Sequence, residues 1–312
     1  MQYWPRVRAK GIRVRSWAKV LQLKPLGFAG FKAGMTHVIA TNNRPTSITK
    51  GEAISIPVTV VECPPMKVFG ISFYKHTPYG WSLSSQLISP NADKELGRTL
   101  VLPKKTHGKE SDRYDEVRLL VYTQPKLTGI GQKKPFISEV ALGGKKEEKL
   151  AYAKNLLGKE ITLSDVFKEG DQVDVHSITK GKGFQGPVKR FGVSIRQHKS
   201  EKTKRGPGTL GPWCGQGKVM YRVAHAGQMG FHLRTEWNKW VVKIGKKEEA
   251  ITPKGGFINY GEVRNTYVLL KGSVGGSKKR LIRFNVATRP NKGIPTQAPQ
   301  LQYISVDSKQ GN

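Results

Sequence analysis

The residues closest to a known chemical motif are the glycine-rich positions 181–186, which read Gly-Lys-Gly-Phe-Gln-Gly. This spacing matches the G-x-G-x-x-G fingerprint of dinucleotide sites, in which a strand leads into a helix whose N-terminus binds a pyrophosphate. A predicted strand does precede it, but residues 188–192 carry charge and glycine without the apolar face of a helix. A second match occurs at residues 206–211. Because the chain has 35 glycines, two matches are weak evidence for a dinucleotide site at either position. The favoured interpretation is a backbone that approaches phosphates closely while nearby cations neutralise them; a nucleotide-dependent enzyme and a plain turn remain alternatives.

Other chemistry-bearing residues are scattered. Cys63 and Cys214 lie far apart, which indicates a reducing compartment and neither a disulfide framework nor a zinc site. No H-E-x-x-H or G-x-S-x-G motif accompanies the histidines, which are His37, His76, His107, His176, His198, His225 and His232. The sequence therefore predicts no catalytic residue, no metal site and no cofactor.

The charge is the outlying property of this chain of 312 residues. Lys and Arg number 54 against 22 Asp and Glu, a formal net charge of +32. Such an excess favours a polyanionic partner, because it costs self-repulsion in the free protein. No apolar run long enough to cross a bilayer and no N-terminal signal core is present, so no membrane role is expected. Nucleic acid is the favoured partner, and charge alone leaves a general basic DNA-binding protein as an alternative.

The positive charge is concentrated in two segments. Residues 1–25 hold seven basic residues and no acid, and residues 178–247 hold sixteen basic residues against Glu201 and Glu236. Between residues 196 and 218 the sizeable apolar groups are few: Leu210, Trp213 and Cys214. Ordering a loop costs roughly 1–2 kcal/mol per residue in backbone entropy, which so few apolar groups cannot offset. We expect this loop to become ordered on a polyphosphate. Trp213 is expected to contact RNA, by stacking on a base, or a neighbouring protein; the alternative is a Trp213 packed on its own domain.

The apolar pattern predicts mainly β structure. Strands are expected at 35–41, 54–60, 68–74, 172–178, 240–244, 266–271 and 280–286, and one helix at Glu147–Leu157, ended by Gly158. The segment 271–276, Lys-Gly-Ser-Val-Gly-Gly, is typical of a hairpin turn. Two blocks of strands separated by a less basic middle stretch suggest one barrel or sandwich assembled across an insert.

Four stretches resemble the universal family of large-subunit ribosomal protein three, in its archaeal type. The first spans Phe167, Asp174, Ser177, Thr179, Gly181–Gly183, Gly186 and Arg190; the others are residues 28–37, 226–230 and 270–274. The resemblance implies a closed β-barrel of the translation-protein type with an inserted α+β subdomain, a basic N-terminal arm and a long internal basic finger. The expected boundaries are 1–27 for the arm, 28–75 for the first barrel part, 76–170 for the insert and 171–312 for the second barrel part, with the finger at about 190–235.

The resemblance also implies a function. The protein would be a non-enzymatic, structural constituent of the large ribosomal subunit that binds rRNA near its 3′ end, promotes early assembly and supports the region around the peptidyl transferase centre. Its partners would be large-subunit rRNA and neighbouring ribosomal proteins, with no homo-oligomer, and its location cytoplasmic and ribosome-bound. The residues expected to bind rRNA are Arg6, Arg8, Arg13, Arg15, Lys180, Lys182, Lys189, Arg190, Arg196, His198, Lys199, Lys202, Lys204, Arg205, Trp213, Lys218, Arg222 and Arg234.

Overall fold

The chain divides into two compact units. The computed structural model describes residues 6–90, 93–101, 113–200, 202–211, 217, 219–246, 249 and 251–308. The sheet unit comprises residues 13–177 and 235–312, and the loop unit comprises residues 1–12 and 178–234. The loop unit is thus formed by the start of the chain and one long internal excursion.

The described part of the chain is mainly β. Its strands are β1 (Gly27–Thr41), β2 (Ala53–Glu62), β3 (Met66–Thr77), β4 (Gly80–Ile88), β5 (Glu116–Thr123), β6 (Ile137–Ala141), β7 (Glu160–Ile161), β8 (Gln172–Ile178), β9 (Phe184–Gln185), β10 (Gly227–Gln228), β11 (Leu233–Gly245), β12 (Tyr267–Lys271), β13 (Leu281–Val286) and β14 (Leu301–Ile304). The α-helices are α1 (Lys146–Leu156) and α2 (Pro187–Phe191), and short 3₁₀ helices span Lys94–Arg98, Pro125–Leu127 and Leu163–Asp165. The predicted mainly β character is confirmed.

The larger sheet has seven strands in the order β13-β8-β11-β12-β2-β1-β14. Strand β13 pairs with β1 as well as with β8, so the pairings of six strands form a ring. The registers are antiparallel and bring apolar residues together, such as Phe28 opposite Phe284 and Leu269 opposite Val60. These four side chains are buried, and they form part of the core of the sheet unit.

The smaller sheet has the order β4-β3-β5-β6, with β7 also paired to β3. Strand β3 therefore pairs with strands from the middle of the chain and belongs to a different sheet from β1 and β2. The expected first barrel part, 28–75, had placed β1, β2 and β3 together. The reason is local: Pro64 and Pro65 follow β2 and provide no backbone N–H for continuing its ladder. Alternating apolar residues predict a strand but do not say which sheet it joins.

The predicted helix and the predicted strands are confirmed, but β1 begins at Gly27 where the prediction began at 35, and β11 begins at Leu233 where the prediction began at 240. Helix α1 buries Ala153, and Gly158 follows it with φ of +79°, as a helix-ending glycine does. The hairpin predicted at 271–276 is wrong. This segment links β12 to β13, and β12 pairs with β11 and β2 while β13 pairs with β8 and β1. It is a connection between strands that are not neighbours in the sheet.

Glycines in β1 allow other segments to pack directly on its backbone. A Cβ atom built at Gly30 would lie 2.7 Å from both the Cys63 sulfur and the Glu62 carbonyl oxygen. At Gly34 it would lie 2.5 Å from the Phe257 ring. Between them, Lys32 is buried, and its Nζ donates hydrogen bonds to the carbonyls of Val274 and Gly276. The resemblance at residues 28–37 thus corresponds to a close-packed strand that anchors the 271–276 connection.

Buried carboxylates hold the loops of the sheet unit. Glu62 accepts hydrogen bonds from the backbone N–H groups of Arg264 and Asn265, each at 2.9 Å, from the Asn265 side chain at 2.7 Å and from the Tyr260 hydroxyl. Burial, followed by the Glu62 charge, raises the pKa of Tyr260. The hydroxyl therefore stays protonated and continues to donate. A charged group taken out of water is tolerated here because several donors satisfy it.

The packing around Gly30 predicts a matched pair of stability effects. Gly30→Ala should lower the free energy of unfolding by about 1–3 kcal/mol, since the added methyl group meets backbone and sulfur atoms that cannot withdraw. Gly11→Ala, where the added methyl group meets nothing within 4 Å, should change it by no more than about 0.5 kcal/mol. Urea titrations followed by circular dichroism measure both. Equal effects of the two substitutions would contradict the close approach at Gly30.

Candidate nucleic-acid interface

The base of the internal excursion is an antiparallel hairpin within the loop unit. The N–H of Thr179 donates to the His232 carbonyl at 3.0 Å, and the N–H of Lys182 donates to the Met229 carbonyl at 2.9 Å. Strand β9 continues the hairpin by pairing with β10. Gly230 has φ of +73°, and a Cβ there would lie 2.0 Å from the Lys180 carbonyl oxygen. Glycine is therefore required where the two sides of the hairpin touch.

The N-terminal arm lies along this hairpin. The N–H of Ala9 donates to the Phe231 carbonyl at 2.8 Å, and the His232 ring Nδ1 lies 2.9 Å from the Val7 carbonyl oxygen. The guanidinium of Arg8 is 4.9 Å from the centroid of the Phe231 ring. The two most basic parts of the sequence are thus joined through backbone hydrogen bonds and an aromatic ring, which leaves the charged groups of the arm available at the surface.

Two arginines from distant parts of the sequence share one aromatic ring. The Cζ atoms of Arg6 and Arg190 lie 4.6 and 5.0 Å from the centroid of Phe191, and an Arg6 N–H donates to the Arg190 carbonyl at 3.5 Å. Burial first, and then the charge of Arg6, lowers the pKa of Arg190. Two like charges held beside one ring, with no acid of the described loop unit beside them, form a site that an anion would stabilise.

Arg190 also fixes the hairpin by its planar side chain. Its Nε donates to the Gln228 carbonyl at 3.2 Å, and its Nη1 donates to the His225 carbonyl at 2.9 Å. Helix α2, which carries it, is five residues long; Pro187 is its first residue and Gly192, in the left-handed region, ends it. This residue therefore both positions residues 225–228 and contributes charge.

The glycine fingerprint has a different context from a dinucleotide site. Strand β9 lies inside the motif, and residues 181–183 are part of the hairpin. Gly186 precedes a helix of one turn and a half, without the long helix and parallel strands of a nucleotide-binding βαβ unit. The second match, 206–211, contains no helix. Both matches reflect glycine-rich loops.

The described residues between Gly192 and β10 form no helix or strand. Their backbone hydrogen bonds run from the N–H of Arg196 to the Lys204 carbonyl at 3.1 Å, of Ser200 to Gln197 at 3.0 Å, of Met220 to Leu210 at 3.2 Å, of Val223 to Met220 at 3.2 Å and of His225 to Val223 at 2.9 Å. Leu210 is exposed, and so are the basic side chains from Arg196 to Arg205. No buried apolar residue occurs among described positions 192–211, so this segment has no core of its own.

Charge distinguishes the loop unit from the sheet unit. The loop unit, 69 residues long, holds fifteen of the 54 Lys and Arg and one of the 22 Asp and Glu, namely Glu201. The sheet unit is more than three times longer and holds 39 basic and 21 acidic residues. Within the described residues, the salt bridges are all in the sheet unit. The described cations of the loop unit thus form no salt bridge with a described acid of the protein.

The predicted rRNA-binding residues fall into three groups. Trp213 and Lys218 lie outside the described residues, as does Cys214. Arg13 and Arg15 are exposed and belong to the sheet unit. The loop unit brings together the remaining predicted residues on the arm, hairpin, α2 and excursion: Arg6, Arg8, Lys180, Lys182, Lys189, Arg190, Arg196, His198, Lys199, Lys202, Lys204, Arg205, Arg222 and Arg234.

Two exposed aromatic residues were missed in the sequence. Phe184 follows Lys182 on the hairpin and is 76% exposed, and Tyr221 is 66% exposed, with the Arg222 guanidinium 5.4 Å from its ring centroid. Aromatic rings among cations are the pattern of surfaces that stack on nucleobases. The alternation of Lys182 and Phe184 with glycines could have indicated a stacking residue. The glycines of the fingerprint indicated only the approach of the backbone to phosphates.

Other kinds of site find no support in the described residues. They contain no group of three or more His, Cys, Asp or Glu placed to hold a metal ion. Neither helix in this part of the chain has the length and apolar character needed to cross a membrane. Burial, followed by the Glu62 charge, raises the pKa of Cys63 well above its usual value, so this thiol is not a reactive thiolate.

The fold and this surface define a class: a mainly β protein whose glycine-rich, uncompensated basic segments are built on a hairpin. Within that class, the chain belongs to the ribosomal protein L3 family, whose model matches residues 2–115 and 91–311. It is 48% identical to the large ribosomal subunit protein uL3 of Archaeoglobus fulgidus over 322 residues, which cover 100% of this chain and 97% of that protein. The uL3 proteins of Methanopyrus kandleri and Methanothrix thermoacetophila are each 43% identical and cover 100% of this chain, with 90% and 96% of their own lengths. The archaeal-type resemblance is confirmed.

The two carbonyl contacts of Arg190 predict a local loss of order on a conservative change. Arg190→Lys keeps the charge but not the fork of donors, so the amides of Lys182 and Met229 should exchange with solvent roughly 10- to 100-fold faster, the equivalent of losing charged hydrogen bonds. Hydrogen exchange of the full chain measures this. Lys189→Arg, on the exposed side of α2, is the control and should leave the rates unchanged. Unchanged exchange in Arg190→Lys would show that the hairpin does not depend on the guanidinium.

Proposed function

We propose that this chain is a structural, non-catalytic constituent of the large ribosomal subunit and binds large-subunit rRNA through the loop unit. The observation that carries the proposal is the fifteen-to-one ratio of basic to acidic residues in the loop unit, whose described residues 192–211 include no buried apolar side chain. Such segments gain order and lose repulsion together when they lie on phosphates. The relatives named large ribosomal subunit proteins, each matched along nearly its whole length, support the same role here.

The finer role follows from the family. We propose that the protein contacts rRNA near its 3′ end, acts early in subunit assembly and supports RNA around the peptidyl transferase centre. Its location would be the ribosome-bound state in the cytoplasm, with neighbouring large-subunit proteins as further partners and no homo-oligomer. Trp213 keeps its proposed stacking role at the finger, about 190–235, and the arm, 1–27, would bind the RNA backbone.

The architecture of the sheet unit is proposed to be a closed barrel of the translation-protein type. The support is the ring of pairings through β13, β8, β11, β12, β2 and β1, which leaves no free edge along this path. The smaller sheet and α1 would constitute the α+β insert of about 76–170, to which β3 adds its own strand.

The alternatives are separated by experiment. A nucleotide-dependent enzyme would need dinucleotide binding at residues 181–186, and the hairpin in that motif disfavours it. A general DNA-binding protein would bind duplex DNA as tightly as rRNA. Competition between a large-subunit rRNA fragment and duplex DNA for the full chain distinguishes an rRNA-binding protein from a general DNA-binding protein. Equal affinity for both nucleic acids would overturn the rRNA proposal.

Salt dependence tests the electrostatic part of this proposal. If the chain contacts some 6–10 phosphates, its affinity for large-subunit rRNA should fall roughly 10³- to 10⁵-fold from about 50 to about 200 mM salt. Lys182→Gln should reduce the slope of log affinity against log salt by about 0.7–0.9, because one phosphate contact is lost. Lys126→Gln is the control, since Lys126 pairs with Glu95 at 2.8 Å in the sheet unit. A flat salt response, or equal effects of both substitutions, would argue against binding through the loop unit.

Phe184 provides a test that does not involve charge. Phe184→Ala should weaken rRNA binding roughly 5- to 150-fold, the value of one stacked base, and should leave the unfolding free energy nearly unchanged because the ring is exposed. Filter binding and urea titration measure the two quantities. Tyr79→Ala, in the exposed turn between β3 and β4, is the matched control and should change neither. A large loss of stability with Phe184→Ala would assign the ring to the core.

A further inference from the structure

The sheet unit contains a cavity that none of the proposed rRNA contacts uses. It has a volume of about 630 Å³ and a mostly apolar lining, formed by Ser16, Trp237, Asn238, Thr288 and Arg289. Sites for small organic molecules have roughly 300–1,000 Å³ and combine an apolar lining with a few polar groups. The cavity therefore has the size and composition of a site for a planar ligand.

A buried carboxylate fixes two walls of this cavity. One oxygen of Asp174, on β8, accepts a hydrogen bond from the N–H of Asn238 at 3.0 Å, and the other accepts one from the N–H of Thr288 at 2.8 Å. Both oxygens are thus occupied, and the side chain is 1% exposed. The wall beyond Thr288 is fixed further by Gln172, whose side chain exchanges hydrogen bonds of 2.8 and 2.9 Å with the backbone of Asn291. The cavity is a built feature of the sheet.

The backbone directs a tryptophan out of the sheet at this point. Asn238, within β11, has φ of +55°, a conformation that asparagine tolerates better than most residues. Trp237, before it, is 56% exposed, whereas Trp240, three residues on, is 3% exposed and donates from its indole N–H to the Gly170 carbonyl at 3.1 Å. One indole in this strand is a core residue, and the other presents its ring to the cavity without a protein cover.

One cation lines the cavity together with Trp237, and two more lie near the lining residue Ser16 in sequence. Arg289 lines the cavity, and Arg13 and Arg15 are exposed in the segment that contributes Ser16. Residues 13–16 and 287–293 contain no acid. The nearest acid in sequence, Glu236, is already occupied by Lys239 at 2.9 Å and by the N–H of Gly275 at 2.8 Å. An aromatic ring and an arginine that line the same cavity match a base and its phosphate.

We propose that this cavity binds one unpaired nucleobase of RNA, stacked on Trp237, with the adjoining phosphate on Arg289. The inference rests on the proposed rRNA-binding function and adds to it a base-binding site in the sheet unit, separate from the basic segments of the loop unit. Asp174 is a positioning residue of this site: both of its oxygens accept hydrogen bonds from lining residues, so it orients the walls and does not itself bind the base. An apolar segment of a neighbouring protein would use the indole but gain nothing from Arg289.

Ultraviolet cross-linking of native large subunits, followed by mass spectrometry, tests the occupant directly. A nucleotide adduct on the peptide that contains Trp237 is the expected result. A cross-link from this peptide to another protein, or no adduct here while the loop unit carries adducts, overturns the proposal. The second case leaves rRNA binding intact.

Binding of large-subunit rRNA to the full chain tests the energetics. Trp237→Ala should weaken binding roughly 5- to 150-fold at every salt concentration without changing the salt slope, because it removes stacking and no charge. Trp237→Phe should recover most of the affinity, and Arg289→Gln should reduce the slope by about 0.7–0.9. Trp81→Ala, a half-exposed tryptophan on β4 outside the cavity, is the control and should bind as the unchanged chain does.

The failures of the two proposals are distinguishable. If the unchanged chain does not bind large-subunit rRNA in a salt-dependent manner, the proposed function itself is wrong. If it binds and Trp237→Ala binds equally well, the function stands and the nucleobase site is wrong. A loss that Trp237→Phe fails to recover, accompanied by a lower melting temperature, would assign Trp237 a role in the fold and also overturn the site.

Discussion

Uncompensated positive charge in the loop unit is the constraint on which the rest of the structure depends. Two unit charges 4 Å apart repel by about 1 kcal/mol even at the dielectric constant of water, and more near a protein surface. The loop unit nevertheless places Arg6 and Arg190 on one phenylalanine ring and has a single acid, Glu201, among its 69 residues. The geometry raises the free energy of the isolated chain and lowers that of a complex with a polyanion, so the same contacts that cost stability contribute affinity.

The two units solve the problem of polar groups in opposite ways. In the sheet unit, Glu62 and Asp174 are buried and their oxygens are satisfied by donors of the same unit. In the described excursion, backbone hydrogen bonds are few and the cationic side chains are exposed. The first arrangement stabilises a fold without outside help, because burial is offset by hydrogen bonds. The second leaves cationic donors that water hydrates in the free chain and that a polyanion can bind without first breaking contacts to the protein.

The sequence predicted the parts of this structure that depend on local pattern. Alternating apolar residues located β8 at its observed bounds, Gln172–Ile178. Apolar residues on one helical face, followed by Gly158, located α1 within one residue at each end. Pairing could not be predicted, since the glycine-rich 271–276 has the composition of a hairpin turn although β12 and β13 have other neighbours. The contact of Arg6 with Phe191 joins residues far apart in sequence, so no pattern reveals it. The sequence could show which segments are rich in basic residues, but it could not show which of these residues contact one another or a shared aromatic ring.

The residues that carried the family resemblance are mostly structural, and this separates them from the groups that would touch RNA. The carboxylate of Asp174 holds β11 to the segment after β13, and Thr179 accepts a hydrogen bond on its hydroxyl from the N–H of His232 at 3.2 Å. The glycines of the fingerprint lie in a hairpin where Gly230 touches Lys180. A motif that resembles a phosphate-binding loop therefore fixes backbone geometry, and Lys182 and Phe184, at its variable positions, face solvent. Recognition of RNA by such a motif would depend on the residues at its variable positions, here Lys182 and Phe184, and not on its glycines.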